Sequence, residues 1–484
     1  MKTKNLIVIV AALLMPLIVG AQTLKGSYFL DNSLNRNKMN PAFAPRSNYF
    51  QMPVLGNFSA GMMSNVDAPN FIYKKNGEYV TFLSNQISAK KFDRAIPNHP
   101  HFDVETSMNL INFGFFTKQH SFWTVDIGMR TGLDIDLPAN LFTAVKNGAG
   151  SSGGRYNIGN ANVFASSSLQ AAVGYSRDIL DGLRIGAKLR AIVPVGYAAV
   201  KLENIRLETG KDKWTLATDG QVRTAVKGLE VTQQAGEKTP DVGLDLERML
   251  GDKIFTGFGY SVDLGAEYIL ALDHDFFNSI SFSAAITDLG LVHYSKKATR
   301  TYSVDGYVEW AGVQNSGNGS PEYLTESINE LVDESDGYLK LDDEKASGMT
   351  RSTMPNFYLG VEVPFLKNKM SAGLLYSGRF SHGYYRNELT AALNVTPADW
   401  VAIGVNYSFL NTARTLGAIL ELTPKKGVNF FIGFDYLPLA YNSDPMVVPN
   451  FLEDLDFMEG SVPRAWSSNL HFGLSFALGS EYGR

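Results

Sequence analysis

Asn469-Leu470-His471-Phe472-Gly473-Leu474-Ser475-Phe476-Ala477-Leu478 alternates without a break, with leucine or phenylalanine at 470, 472, 474, 476 and 478 and small or polar residues between them. Successive side chains of an extended chain point to opposite faces. The stretch therefore reads as a strand with one wholly apolar face and one small or polar face. The same pattern recurs upstream at nearly regular spacing, in Val428–Tyr436, Leu416–Leu422, Val401–Phe409, Tyr385–Val395, Met370–Phe380 and Phe357–Phe365. Earlier still, Phe258, Tyr260, Val262, Leu264, Ala266, Tyr268 and Leu270 alternate with Gly257, Gly259, Ser261, Asp263, Gly265 and Glu267. Leu183–Val193 and Trp123–Arg130 follow the same rule.

A soluble sandwich also alternates, so the length and chemistry of the faces decide the class. The apolar faces match strands of about 9–11 residues tilted across a bilayer. The opposite faces carry glycines and charges, which a wet lumen tolerates, and aromatic residues gather near segment ends as interfacial girdles do. In hydrocarbon every backbone N–H and C=O needs an internal partner, and a closed barrel supplies one to each without leaving an edge. The expected fold is all-β, a transmembrane antiparallel barrel of about 14 strands, an even number being usual. The breaks between segments fall into two kinds. Leu366-Lys367-Asn368, Thr396-Pro397-Ala398-Asp399 and Lys425-Lys426-Gly427 are tight; Pro138–Ala161, Leu207–Asp252, Tyr294–Pro355 and Leu437–Ala465 are long. Short periplasmic turns and long extracellular loops alternate in this way. Within the third long break, Glu322–Glu334 reads as a short amphipathic helix with Leu324, Ile328, Leu331 and Val332 on one stripe.

The N-terminus fits an exported chain. Lys2 and Lys4 precede an apolar run from Leu6 to Val19, then Gly20-Ala21-Gln22, the layout of a cleavable secretory signal. The expected divisions are a signal peptide at 1–21, a short N-terminal segment at 22–50 and the barrel at 51–484. The chain has no cysteine, which removes disulfides, thiolate metal sites and cysteine nucleophiles. A formal net charge of −5 argues against nucleic acid as a partner.

Enzymatic motifs are thin, and the chain is not expected to be an enzyme. Gly148-x-Gly150-x-x-Gly153 matches a dinucleotide pattern by letter but lies in an Asn/Gly/Ser-rich break with no strand directly before it. No Gly-x-Ser-x-Gly elbow, a serine on a strand-to-helix turn, is found, and His-Glu-x-x-His does not occur. His99-x-His101 is flanked by Pro97 and Pro100 and reads as a turn rather than a metal site. The acidic group Asp333, Glu334, Asp336, Asp342, Asp343 and Glu344 reads as a solvated loop face rather than a calcium site. No catalytic residue, metal or cofactor is expected.

Arg36-Asn37-Lys38-Met39-Asn40-Pro41-Ala42-Phe43-Ala44-Pro45 lies between the signal and the first strand and contains Asn40-Pro41-Ala42. An Asn-Pro-Ala element in this place is similar to the N-terminal hatch of the long-chain fatty-acid transporter family of barrels. With Gly257–Ala266, Ile286-Thr287-Asp288-Leu289-Gly290 and Met354–Gly360, the fuller pattern resembles an uncharacterised outer-membrane family of the Bacteroidota, a domain of unknown function. The resemblance implies a fourteen-stranded barrel with a plug formed by Asn40, Pro41, Ala42 and their neighbours. It implies outer-membrane lipid around the wall and transport of small, in part hydrophobic, molecules. The alternative is a structural or docking barrel that anchors a secreted or surface partner protein. Alternation turns Asp126, Arg130, Asp134, Arg184, Lys188, Arg190, Asp263, Glu267, Glu362, Arg379, Arg386, Glu388 and Glu421 inward. They either line a conduit or pair across the lumen, and their mixed signs point to pairing.

Overall fold

The computed structural model describes residues 23–478 except 32, 67–69, 118–120, 149–152, 228, 233–240, 245–254, 275, 314–335, 345–347, 382–384, 411–413, 425–426, 438–440, 443–461 and 464–466. The signal reading, the Glu322–Glu334 helix and the central glycine of the Gly148-x-Gly150-x-x-Gly153 match lie outside the described residues, as do the side chains of the Asp333–Glu344 acidic group.

Fourteen antiparallel strands close into a barrel. In chain order they are β1 (Asn48–Gln51 continued by Phe58–Ser64), β2 (His101–Phe116), β3 (Phe122–Asp136), β4 (Gly154–Leu180), β5 (Leu183–Thr209), β6 (Gly257–Ala271) and β7 (Ser279–Tyr294). They continue as β8 (Asn356–Phe365), β9 (Met370–Phe380), β10 (Tyr385–Ala398), β11 (Val401–Leu410), β12 (Arg414–Leu422), β13 (Val428–Leu437) and β14 (Ser468–Leu478). Each pairs with its chain neighbour, and β14 returns to β1 with Leu478 opposite Asn48 and Phe472 opposite Phe58. The wall thus begins at Asn48, inside the segment expected to precede it. β1 is broken: residues 52–57 loop out of the ladder, with Val54 at φ 64°, an uncommon backbone for a β-branched residue.

The two faces follow the alternation. Leu264, Val405 and Leu189 point outward and are 48%, 45% and 62% exposed, while Asp263, Asn406, Glu421 and His471 are buried inside. Connections alternate between the two ends. The breaks 117–121, 181–182, 272–278, 366–369, 399–400 and 423–427 are short and share one end of the barrel; the long ones share the other, together with the short breaks 381–384 and 411–413. Among the described residues no helix is long and apolar enough to cross a membrane.

The long breaks hold more structure than their composition suggests. β4 and β5 run for 27 residues each, far beyond the about 10 that span a bilayer. Their outer ends extend into a cap. Trp214–Val226 pairs with β5, Thr299–Trp310 pairs with Trp214–Val226, and Asp336–Glu344 adds to that edge. With α1 as Arg36–Met39 near the N-terminus, the cap holds α2 (Ala89–Asp93) and α3 (Ala139–Gly148). Leu141, Phe142 and Val145 of α3 join Phe82, Phe92, Ile158, Ile205, Leu207, Trp214 and Trp310 in a separate apolar core. The breaks Pro138–Ala161, Leu207–Asp252 and Tyr294–Pro355, expected as long loops, thus carry strands and, in the first, a helix. Pro138 ahead of α3 and the apolar i, i+1, i+4 set were signals for that helix.

Candidate functional site: the filled lumen

Residues 23–47 enter the lumen from the short-turn end. Leu24 and Leu30 pack on Ala402, Ile419 and Phe431. Tyr28, Phe29, Met39 and Phe43 pack on Tyr358, Leu375 and Ala392. Polar anchors fix the segment at both ends. Asp435 of β13 accepts the backbone N–H groups of Lys25 and Gly26 at 2.6 and 2.7 Å, and Lys25 Nζ pairs with Glu388 and donates to Tyr436 Oη. Arg36 pairs with Asp31 and Glu267 and lies 4.1 Å over the Phe43 ring.

Asn40-Pro41-Ala42 sits against two facing glycines. Gly186 of β5 and Gly265 of β6 are register partners. A Cβ on Gly186 would lie 2.2 Å from the Pro41 carbonyl oxygen, and one on Gly265 would lie 1.9 Å from Asn40 Oδ1. Asn40 Nδ2 donates to the Ala266 carbonyl at 3.0 Å, and its Oδ1 accepts from Ala42 N at 2.9 Å. Glycines are on the inward face here because backbone must approach backbone closely. The alternation places them inward; nothing local says what they receive.

Several of the inward charges meet in one layer across the lumen, and others pair nearer the short turns. Glu105 accepts from both Arg130 and Arg379. Asp288 takes Arg130 at 2.9 Å and also Arg190, and Arg190 reaches Asp263 at 2.9 Å. Lys188 pairs with Asp126 at 3.1 Å, Arg184 with Asp178 at 2.9 Å and Arg386 with Asp103 at 3.5 Å. Ser381 donates to Asp134 at 2.7 Å, and Glu421 accepts from Asn429 at 2.8 Å. Glu362 is half-buried at the short-turn end of β8, opposite Ser281 and Gly373. Glu105, Asp103 and Asp288 were not among the expected inward charges. Asp288 lies at φ 58°, where Asp263 Oδ1 accepts its backbone N–H at 2.7 Å.

Two cavities flank this layer and share Glu105, Arg130, Gln170, Asp288 and Arg379 as a common wall. The one beside the N-terminal segment is about 150 Å³. The one towards the cap is about 140 Å³ and reaches Tyr197, Tyr294 and Arg351. No group of three or more potential metal ligands gathers among the described residues. His101 of the His99-x-His101 pair turns its Nδ1 to the His99 carbonyl at 3.2 Å.

Solved structures of similar outline include the P. putida toluene transporter TodX, with 11% identity over 92% of this chain and 93% of that chain and a TM-score of 0.38. The Ralstonia pickettii toluene transporter TbuX gives 9% over 93% and 95%, with a TM-score of 0.37. A Pseudomonas aeruginosa FadL homologue gives 10% over 94% and 96%, with a TM-score of 0.32. At such scores these likenesses carry no argument about activity. No curated protein matches. The family whose model matches, over residues 41–435 and so over most of the barrel, is the family of unknown function DUF5723, and the chain belongs to it.

Proposed function

We propose that this protein is an outer-membrane barrel that passes small molecules through a lumen stoppered by its own residues 23–47. The observation that carries the reading is the paired-glycine seat for Asn40-Pro41-Ala42. A purely structural filling needs only side chains, whereas this wall is recessed to hold a tethered segment as a unit. A tethered segment has a high effective concentration at its seat. Pro41 pre-orders it and lowers the entropy lost on docking. The stopper therefore closes firmly yet is able to leave and return. The cavity linings mix charged and hydroxyl groups with apolar atoms, which favours cargo with a polar group over wholly apolar molecules. The inward charges named above would set selectivity once the stopper is out.

The test is flux into lipid vesicles of the full barrel and of a chain lacking residues 23–46, a deletion that leaves Asn48–Gln51 in the wall. The deletion should raise passive flux of small solutes at unchanged barrel content. Equal flux with the segment cut freely by protease in the full barrel would refute the stopper. A second reading, a docking barrel for a surface partner, is favoured by the separate core of the cap, which makes a rigid platform. A photo-crosslinker at the exposed Asp212 would capture a partner in intact cells on that reading and none on the first.

A further inference from the structure

The cavity beside the N-terminal segment is lined by seven lysines and arginines and four carboxylates. Six of the seven cations have a carboxylate within ion-pair distance: Lys25, Arg130, Lys188, Arg190, Arg379 and Arg386. Lys38 has none among the described residues. It is about three-fifths along the segment, and its side chain donates only to Asn109 Oδ1, at 3.3 Å, among the described residues. Lys38 is half-buried, and an ammonium drawn out of bulk water without a counter-charge is costly unless something of opposite charge comes to it.

Two further polar groups in the same cavity are left without partners. Asn35 Nδ2 and His471 Nε2 are both buried and unbonded, and both residues line the cavity with Lys38. Their other ends are fixed on one patch of wall. Asn57 Nδ2 donates to Asn35 Oδ1, and Ser59 Oγ lies 2.7 Å from His471 Nδ1. Asn57 ends the loop before the second part of β1 and Ser59 lies just inside it, and both are buried. Asn57 O accepts from Asn109 N at 3.1 Å, and Asn109 holds Lys38. In the tautomer in which the Ser59 hydroxyl donates to Nδ1, His471 Nε2 carries the proton and is a donor. An amide N–H₂ and an imidazole nitrogen without partners, and an ammonium without a carboxylate, thus belong to residues that line one cavity. Buried donors in proteins are almost always satisfied.

We propose that this cavity is a binding site for a compact oxyanion, a carboxylate or phosphate, held by Lys38, Asn35 and His471. The anion neutralises the surplus cation and accepts from the two orphaned donors. It also ties the N-terminal segment to β1 and β14, because two of its three ligands belong to that segment and one to the wall. The site stands whether or not anions cross the barrel, so its failure and the failure of the stopper reading are separate results.

The test is calorimetric titration of the full barrel in detergent with sodium phosphate and, in a second arm, sodium acetate, at constant ionic strength. Saturable binding of either is expected, and the arm that binds more tightly identifies the oxyanion class. Lys38→Met should weaken binding at least tenfold, and His471→Phe should weaken it by a smaller factor. Without anion, Lys38→Met should melt no lower than the parent, since it removes an unpaired charge. Phosphate should raise the parent's melting midpoint and leave that of Lys38→Met unmoved. Absence of saturable binding in both arms, or equal binding by folded Lys38→Met, would overturn the site. So would binding retained in Lys38→Met and lost only in an unrelated surface lysine variant.

Discussion

Gly186→Ala adds one methyl group at the point where the N-terminal segment comes closest to the wall. The new Cβ would lie 2.2 Å from the Pro41 carbonyl oxygen, 2.4 Å from its carbonyl carbon and 2.5 Å from Ala42 N. All three are backbone atoms, so no side-chain rotation relieves the clash, and the segment must move by more than about 1 Å to restore ordinary contact. Overpacking of this kind costs about 1–3 kcal/mol. Charged to the docked state alone, that shifts the docking equilibrium by about 5- to 150-fold, at 1.4 kcal/mol for each factor of ten. The readout is trypsin cleavage at Arg36, buried against the wall, and Lys38, half-buried at the cavity, in refolded barrels of unchanged circular dichroism. Gly132→Ala is the matched control, since its Cβ meets only the Val104 carbonyl at 3.7 Å. Gly265→Ala should act in the same direction, and the double variant should cost less than the sum, because a segment displaced by one methyl no longer meets the other. Cleavage and vesicle flux of Gly186→Ala equal to those of Gly132→Ala would refute the seat.

Val405→Arg, outward in the middle of β11, should destabilise the folded barrel by about 2–4 kcal/mol in lipid, measured by reversible unfolding in vesicles. Asp435→Asn removes a charge that accepts two backbone N–H groups. It should weaken docking of the segment by about 1.5–3 kcal/mol, read as a 10-fold or greater rise in trypsin cleavage. Burial lowers the Lys38 ammonium to about 8 from its ordinary 10.5, with Asp126 opposing and Lys188, Arg190 and Arg130 assisting. A docked value below the released one means that the released state binds more protons between pH 8 and 10.5. Docking therefore strengthens as pH rises through that window and is pH-independent below it. Burial lowers Lys25 in the same direction. Protection from protease should increase from pH 7.5 to 9.5, and less so in Lys38→Met. Glu105→Gln leaves Arg130 and Arg379 facing each other without their shared carboxylate. In the barrel lacking residues 23–46 it should shift the reversal potential of a salt gradient towards anion selectivity.

Which way each wall residue faces was legible in the sequence, because facing is local. His471 and Phe472, Asp263 and Leu264, and Glu421 and Leu420 sit on opposite faces by the period of two alone, and lipid outside with polar filling inside makes that period strict. The tight breaks near Leu366-Lys367-Asn368 and before Val428 were legible for the same reason, whereas the turn expected at Thr396–Asp399 falls at 399–400, because β10 runs on through Ala398. Closure followed from the need to pair every backbone group in hydrocarbon. The cap escaped detection because Trp214–Val226 and Thr299–Trp310 are neither lipid-facing nor strongly alternating. They are strands because β5 overhangs the wall and offers them an edge. The meeting of Arg130 with Asp288, 158 residues apart, and of Lys38 with Asn109 depended on which inward faces the curvature brings together and on how deep residues 23–47 sit. Both are set by the stagger of fourteen strands around the barrel, which no single strand encodes. The sequence by itself determined a closed membrane wall and the side on which each residue stands. Only the tertiary structure decided what each inward residue touches, because contact across a lumen is a property of the closed ring.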